Sequence, residues 1–508
     1  MPDSTEIELK LALVRGTATA AKRALRAAAL QRTAIDDVYF DTPDAGLRRR
    51  GLVLRIRRDG ERWLQTLKAS GASSGIVPVR GEWEVRLEDG PSMPALDLEK
   101  LDIAPLRELL STGFETTGLA PVFRTRITRR RGNIVHGTSA IEVALDRGEL
   151  RALVDGHGKR QPVSEVELEL KSGRAEDLLG LASALVLRRQ VTLVPALRSK
   201  AERGYALASS SRLPVVHASA RGFAQHVTRG MTTADALRAV VRHGLGIAVA
   251  NADALRSAPA SEHVHQARVA LRRMRSAVRL FDPRGTDMPA MLVTELRWLA
   301  RRLGRARDWD VLADTTLPAI LESAGLGDKP ARTLSRAARR TRNGALARAV
   351  DAVSSRRYSN LVLHLAQWSL SDPPATTPSV GAAAAGLLEP AADRLFSLAR
   401  PFDQLGARRR HRVRIHAKRL RYALDLLHEM LPSRSGQAYI DALASLQDTL
   451  GEMNDATVAH VLLPSLHPGR QSMKALDKWY RRTEPGVVAR AARQLRALRR
   501  RPRPWHAA

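Results

Sequence analysis

Charged side chains recur on every second residue in the first two hundred positions. Glu6, Glu8 and Lys10 share one face of an extended segment. Arg55 and Arg57 share a face of another, and Glu165, Glu167 and Glu169 fall at i, i+2 and i+4 of a third. Three carboxylates so placed repel one another unless something cationic lies between them. For any one strand, a polar face turned to water is the simpler reading. Several such strands together favour a closed barrel whose lumen collects these faces, with carboxylates on one wall and Arg and Lys on the others. Oxygen ligands on one wall suit a hard divalent cation, and the cationic walls suit a chain of phosphates. In such a site the metal polarises a phosphoryl group and generates hydroxide from bound water. Fixed cations then stabilise the charge that develops on the transferred group.

A second pattern lies further along. His265, Arg268, Arg272, Arg273 and Arg275 are echoed by His411, Arg414, Lys418, Arg419 and Arg421. About forty residues later each copy carries Leu-Gly and then Asp, at Leu303-Gly304 with Asp308 and at Leu450-Gly451 with Asp455. The copies lie 146 to 147 positions apart, so a whole helical bundle is duplicated. At about 100° per residue, His265, Arg268, Arg272, Arg275 and Arg279 fall in a stripe about 80° wide. Met274, Val278 and Phe281 lie opposite. The second copy repeats this with Leu420, Leu424 and Leu427 opposite its cations. A solvated helix face would intersperse Glu, because like charges at i,i+4 cost a few tenths of a kcal/mol per pair. These stripes have almost none, and the arrangement occurs twice. Arg matches phosphate oxygens bidentately, so the stripes point to a polyanion. Few aromatics are present to stack bases, and no helix-turn-helix, zinc finger or RNA-binding signature is found, so specific nucleic-acid binding is not expected. A base-free polyphosphate needs only charge and donors.

The elements that must position these groups are legible in the pattern. Period two runs through residues 6–11, 54–57, 82–87, 124–127, 141–143 and 165–170, with turns at Asp59-Gly60 and Asp89-Gly90, and predicts antiparallel strands. Residues 18–30 and 175–187 read as helices. After a linker around 206–220, rich in Ala and Ser, the chain reads as nearly all helix. Breaks fall at Asp282-Pro283, 325–330, 372–378 and Leu431-Pro432, and antiparallel bundles are the economical architecture. The expected class is α+β followed by all-α, with repeats over about 221–375 and 380–500 and a basic tail at 501–508. The Arg-rich end, 490–503, is left open between a frayed helix and an extra anion contact.

Of the 508 residues, 83 are Lys or Arg and 52 Asp or Glu, a net charge of +31. Residues 1–210 hold 34 basic and 28 acidic residues, a net of +6, and the remainder 49 and 24, a net of +25. The absence of cysteine excludes disulfides, a thiolate nucleophile and Cys-ligated metal. No apolar h-region opens the sequence, and no uncharged run approaches 18 residues. The expectation is a cytoplasmic protein, associated with polyphosphate granules, without a membrane partner.

Glu6-x-Glu8-x-Lys10 resembles the signature of the CYTH family, the triphosphate tunnel metalloenzymes. In order follow Leu54-Arg55-Ile56-Arg57, Thr66-Leu67-Lys68, Arg80-Gly81-Glu82-Trp83-Glu84, Arg124-Thr125-Arg126 and Glu142 with Asp146 and Gly148. Glu165 to Lys171 and Ser199-Lys200 to Tyr205 complete the match. The helical repeat is similar to the CHAD domain, a conserved-histidine α-helical module. The resemblances cover about residues 3–205 and 220–500. The first implies an eight-stranded antiparallel tunnel that binds triphosphate and one or two Mg²⁺ or Mn²⁺ ions, as residues 1–205. It implies Glu6, Glu8, Asp146, Glu165 and Glu167 as metal ligands, with Glu6, Glu8 and Lys10 catalytic. Lys10, Arg55, Arg57, Lys68, Arg124, Arg126 and Lys200 would grip phosphates, while Glu82, Glu142 and Glu169 could equally brace an arginine. Strand direction leaves the inward parity around Arg80 and 82–86 open. The second resemblance implies two four-helix bundles whose basic cleft binds inorganic polyphosphate through His265, Arg268, Arg272, Arg273, Arg275, His411, Arg414, Lys418, Arg419 and Arg421. The expected activity is hydrolysis of triphosphate, inorganic triphosphate foremost. The rivals are a non-catalytic polyphosphate scaffold, adenylyl cyclase chemistry on the same tunnel, and a general nucleic-acid binder.

Overall fold

The computed structural model describes residues 4–14, 17–69, 75–101, 103–111, 118–153, 158–187, 191–211, 214–374 and 377–506. The strands are β1 Ser4–Leu13, β2 Gln31–Asp41, β3 Leu52–Asp59, β4 Arg62–Ala69, β5 Val79–Arg86, β6 Ala120–His136, β7 Ser139–Ala152, β8 Arg160–Ser172 and β9 Leu193–Ala196. The helices among them are α1 Ala18–Ala24, α2 Gly46–Arg49, α3 Ala104–Ser111, α4 Ala175–Leu187 and α5 Lys200–Ala208. Then come α6 Ala220–Ala224, α7 Thr233–Ser257, α8 Ser261–Phe281, α9 Ala290–Val311, α10 Leu317–Ala324 and α11 Asp328–Val353. The last are α12 Arg356–Leu370, α13 Val380–Leu398, α14 Ala407–Leu426, α15 Ser433–Leu462 and α16 Arg470–Arg500. The chain forms two compact units: Met1–Val216 with Val249–Ala258 and Val353–Ser371, and His217–Ala248 with Pro259–Ala352 and Asp372–Ala508.

In the first unit the strands run in the order β5-β4-β3-β2-β6-β7-β8-β1, all antiparallel, and β5 returns to pair with β1. The ring is therefore closed and has no free long edge. The sheet has nine strands rather than the expected eight. The ten-residue β1 uses one edge twice: residues 4–7 pair with β5 and residues 10–13 with β9. All four residues of β9 are buried and one is Pro195, so it has no alternation for sequence reading to detect. β1 faces β8 on its other edge, with Lys10 opposite Glu167 and Glu8 opposite Glu169. Outside the ring, Leu9, Leu11, Val166 and Leu168 are buried where α4 packs on β1 and β8. On the far side, Leu54, Ile56, Trp63 and Leu67 share a core with Leu101 and Leu106. α12 packs on α4 and β9, and Ser359 Oγ donates to the Leu193 carbonyl at 2.7 Å.

α5 lies against the inner face of the ring. Tyr205 and Ala201 pack with Tyr39 and Phe123, and Leu207 with Ile35, Ile127, Leu150 and Val163. Gly204 makes this approach possible, since a Cβ there would stand 2.2 Å from the Phe123 ring. A capping box starts the helix: Ser199 Oγ accepts from Glu202 N at 3.1 Å and Glu202 Oε2 from Ser199 N at 2.8 Å. That cap sets where Lys200 and Arg203 point.

The second unit is helical, as its period predicts, and the breaks fall at the junctions α8–α9, α10–α11 and α14–α15. α8 buries Val264, Ala267, Leu271, Met274 and Val278 and packs on α9 and α14. The Arg-rich end is helical over most of its length and does not fray at 490–500. α16 runs to Arg500, and the chain then folds back onto α13. There Trp505 is buried, its Nε1 donates to Glu389 Oε2 at 2.6 Å, and Arg503 pairs with Asp393 at 2.7 Å. Residues 507 and 508 lie outside the described residues. Among the described residues no helix is long and apolar enough to cross a membrane.

Candidate functional site

The alternation of each strand decides which charges meet inside the ring. Glu6, Glu8 and Lys10 from β1, Arg55 and Arg57 from β3, Lys68 from β4, Glu82 and Glu84 from β5, and Glu167 and Glu169 from β8 line one cavity of about 640 Å³ with Lys200. Tyr39 from β2, Arg129 and Arg131 from β6 and Glu142 from β7 join them. The charges are sorted into two groups. On the β2–β5 side, Lys68 pairs with Glu6 at 2.7 Å and Glu82 at 3.0 Å. Arg55 lies 3.4 Å from Glu82, and Arg57 holds Asp37 at 2.7 Å. Asp37 is 1% exposed, also accepts from Thr125 Oγ1 at 3.2 Å, and lies 3.7 Å from Arg55. Burial alone would raise its pKa, but Arg57 and Arg55 hold the carboxyl well below the usual range.

On the β6–β8 side, Asp146, Glu165 and Glu167 are 0%, 2% and 7% exposed and offer oxygens all within 4.8 Å of one another. The Nζ of Lys200 lies 2.7 Å from Asp146, 2.6 Å from Glu165 and 2.7 Å from Glu167. Arg129 grips Asp146 through two bonds of 2.8 and 2.7 Å and also reaches Glu167. Arg203 pairs with Glu165 at 2.6 Å. The register explains the assembly, since Asp146 stands opposite Glu165 on β8 and Arg129 on β6. Burial raises the Glu167 pKa, but Lys10, Lys200 and Arg129 outweigh it and hold the carboxyl well down. Glu8 behaves differently. Burial and the neighbouring Glu167 push it up to about 7, although Lys10 touches it. Glu6 falls to about 2, because Lys68 and Lys10 outweigh the upward effect of burial.

A hard divalent cation fits these residues. Three buried oxygen donors converge within 4.8 Å, and one ammonium already bridges them where a cation would sit. An anion fits too, because Arg55 Nε, Arg203 Nε and Arg198 Nη1 are buried donors with no acceptor.

Two expected phosphate ligands lie elsewhere. Phe123, Thr125 and Ile127 are the buried parity of β6, so Arg124 and Arg126 point outward. Both bear on Asp36, Arg124 by hydrogen bonds and Arg126 at 3.6 Å, and neither lines the cavity. The same strand instead supplies Arg129 and Arg131. The apolar Phe123 and Ile127 on the odd positions carried that signal. Sequence reading also missed Asp37 and Arg198, which interrupt no alternation and belong to no repeated pattern, and gave Arg203, within the Ser199 to Tyr205 match, no role. Glu82 and Glu84 settle the parity of β5, while the Arg80 side chain lies outside the described residues. Glu169 pairs with Lys171 at 2.6 Å, and Glu142 lines the cavity.

In the helical unit the two stripes meet where α8 packs on α14. Arg268 and Arg272 of α8 interact with Arg414 and Lys418 of α14, and Asp308 and Asp455 face them. Arg268 crosses the glycine of the first Leu-Gly pair, where a Cβ on Gly304 would meet its Nη1 at 2.6 Å. Arg272 lies over the Tyr422 ring at 5.3 Å. Burial, then Arg414 and Arg272, push Lys418 down to about 7. His265 and His411 border the cleft with pKa values lowered by burial and by Arg307 and Arg414 respectively. Arg275 and Arg419 continue the cationic surface, and Arg421 lies 3.3 Å from Gln447. Arg273 is not part of it. It is buried, donates to Asp425 Oδ2 at 3.1 Å and to the Ala218 carbonyl at 3.2 Å, and lies over Phe223 and Tyr422. At position +8 it falls off the stripe, and it holds helices together.

Residues 4–205 match the CYTH domain family model, and residues 239–464 the CHAD domain family model. An inorganic triphosphatase of Haemophilus influenzae is 33% identical over 215 residues, 41% of this chain and 56% of that protein, so the chain spans little more than half the length of this curated relative. The crystal structure of the CHAD domain from the plant Ricinus communis is 30% identical, over 58% of this chain and 97% of that one, with a TM-score of 0.46. HpAC1 from Hippeastrum, for which a dominant triphosphatase activity is described, is 22% identical over 41% of this chain and 98% of that one, with a TM-score of 0.31.

Proposed function

We propose, from the premise that residues 4–205 are a CYTH domain and residues 239–464 a CHAD domain, that the chain hydrolyses triphosphate in its tunnel and binds inorganic polyphosphate along its helical cleft. Inorganic triphosphate is the foremost substrate, and Mg²⁺ or Mn²⁺ the cation. One observation carries the reading: one cavity of about 640 Å³ is lined both by carboxylates, Glu6, Glu8 and Glu167 among them, and by the cations Lys10, Arg55, Arg57, Lys68, Arg129 and Lys200. When bound, the divalent ion supplies Lewis acidity and an activated water. Asp146, Glu165 and Glu167 would hold it, with Glu6 and Glu8 on the adjoining strand. Arg55, Arg57 and Lys68 bind and orient the phosphate chain from the opposite side, and Arg129 and Lys10 from beside the carboxylates. Asp37 fixes the forks of Arg55 and Arg57 before substrate arrives, so their charge is aimed without reorganisation. Glu8, with its raised pKa, can hold or accept a proton beside Lys10.

The helical half contributes Arg268, Arg272, Arg275, Arg414, Lys418, Arg419 and Arg421, with His265 and His411 at the border. The tunnel domain is taken as residues 1–205, a linker as 206–220, and the two repeats as 221–375 and 380–500. The chain would act in the cytoplasm, at polyphosphate granules. The test is a screen of metals against substrates on the full chain, with products identified. Phosphate release from inorganic triphosphate that needs Mg²⁺ or Mn²⁺ is the expected result. Cyclic AMP and pyrophosphate from ATP would indicate cyclase chemistry, and no turnover would leave a binding scaffold.

A further inference from the structure

The duplicated bundle is asymmetric at one pair of positions. An offset of 146 places Arg273 on Arg419 and Arg279 on Asp425. On one side of the α8–α14 packing, Arg273 and Asp425 form a buried ion pair of 3.1 Å. On the other, the corresponding residues are Arg419 and Arg279, so a carboxylate is exchanged for a second cation. The surroundings do not compensate. Arg275, Arg297 and Arg301 all act on the same place, and His416 and Arg394 border it. Among the described residues, none of Arg275, Arg279, Arg297, Arg301 and Arg419 is paired with a carboxylate. Arg279 falls back on its own helix, donating to the Arg275 carbonyl at 3.2 Å. Arg419 Nη1 lies 3.5 Å from His416 Nε2, and its Nε is buried without an acceptor. Burial and these arginines push Arg279 down to about 10. The fold accepts an acid at this position, because Asp425 is one in the other copy. Stability therefore favours the carboxylate, and a second arginine is explained by an anion that arrives from outside.

We propose that Arg275, Arg279, Arg297, Arg301 and Arg419 form a second phosphate subsite, separate from the lobe around Arg268, Arg272, Arg414 and Lys418. This deepens the reading that the helical half takes polyphosphate, and rests on it. Arg272 and Arg279 are two turns apart on α8, about 10 Å, so a long phosphate chain engages both lobes and a short one a single lobe. The cleft thereby discriminates by chain length, while its pseudo-equivalent end is closed by Arg273 and Asp425.

The test is Arg279→Asp in the full chain, which recreates on the open side the pair already present on the closed one. Arg340→Asp on α11, which is exposed, carries the same change in net charge away from the cleft. Binding of long-chain polyphosphate is measured at several salt concentrations, together with thermal midpoints. We expect Arg279→Asp to weaken binding at least about tenfold relative to Arg340→Asp and to flatten the salt dependence, with a midpoint no lower than wild type. Equal affinities for the two variants would overturn the subsite and leave the cleft reading standing. Absence of binding by wild type would overturn both. Arg279→Gln covers a folding failure of the Asp variant: a smaller loss supports the subsite, and unchanged affinity rejects it.

Discussion

Lys200 offers the sharpest test of the tunnel, because one ammonium bridges three carboxylates. Its Nζ lies between 2.6 and 2.7 Å from Asp146, Glu165 and Glu167. Lys200→Met keeps the length of the side chain and removes the charge. Arg129, Arg203 and Lys10 remain, yet the three acids, each at most 7% exposed, lose the one partner they share. Removing one partner of a buried ion pair costs about 3–5 kcal/mol. In a unit of this size that lowers the thermal midpoint by about 6–20 °C. A divalent ion held by the same oxygens must displace the ammonium in wild type and meets no such competitor in the variant. The variant should therefore melt early in chelator, and Mn²⁺ should raise its midpoint further than that of wild type. Thermal melts of both proteins, with chelator and with Mn²⁺ alone, decide the matter without any turnover. If the two proteins melt alike in chelator, Lys200 does not balance the acids. Equal gains with Mn²⁺ would show that the ion and the ammonium do not compete.

Three further outcomes are expected. Arg124→Gln should leave triphosphate hydrolysis within about twofold of wild type, whereas Arg129→Gln should lower kcat/KM at least about a hundredfold, the scale of losing one charge-stabilising donor; equal losses would overturn the assigned parity of β6. The double change Arg272→Glu with Lys418→Glu should abolish polyphosphate binding and spare small-triphosphate hydrolysis, while Arg273→Met should destabilise by about 3–5 kcal/mol and leave polyphosphate affinity near wild type, both read by titration and melting. Lys418, pushed down from 10.5 to about 7, is neutral in the folded protein above that value but protonated in the unfolded chain up to about 10.5, so this group makes stability rise with pH across the window; bound phosphate restores its charge, and calorimetry in two buffers at pH 8 should find nearly one proton taken up, with none taken up refuting the assignment.

Much of the site was legible because strands write their two faces into the sequence. Glu6, Glu8, Lys10, Arg55, Arg57 and Glu167 come together because period two leaves no other choice once the ring closes. β6 shows the limit of that rule. Residues 120–136 form one long strand, and the alternation Arg124-Thr125-Arg126 is equally consistent with either face until the buried Phe123 and Ile127 are weighed. A slip of one residue exchanges the entire set, which is why Arg129 and Arg131 replaced Arg124 and Arg126. β9 was illegible for the opposite reason: buried throughout, it has no polar face to alternate with.

The helical half carries the same lesson in another period. The repeat placed nine of its ten matched cations and histidines along the cleft or its border, because a stripe at 3.6-residue spacing is a property of one helix alone. Arg273 and Arg419 both sit at position +8, and the sequence assigns them one role. Their fates differ through the residue six positions beyond in the opposite copy, Asp425 for one and Arg279 for the other. A repeat defines which positions correspond, while the packing of α8 on α14 defines which of them meet. Function separates at that contact: one arginine is spent on the fold, and its counterpart is left for a ligand.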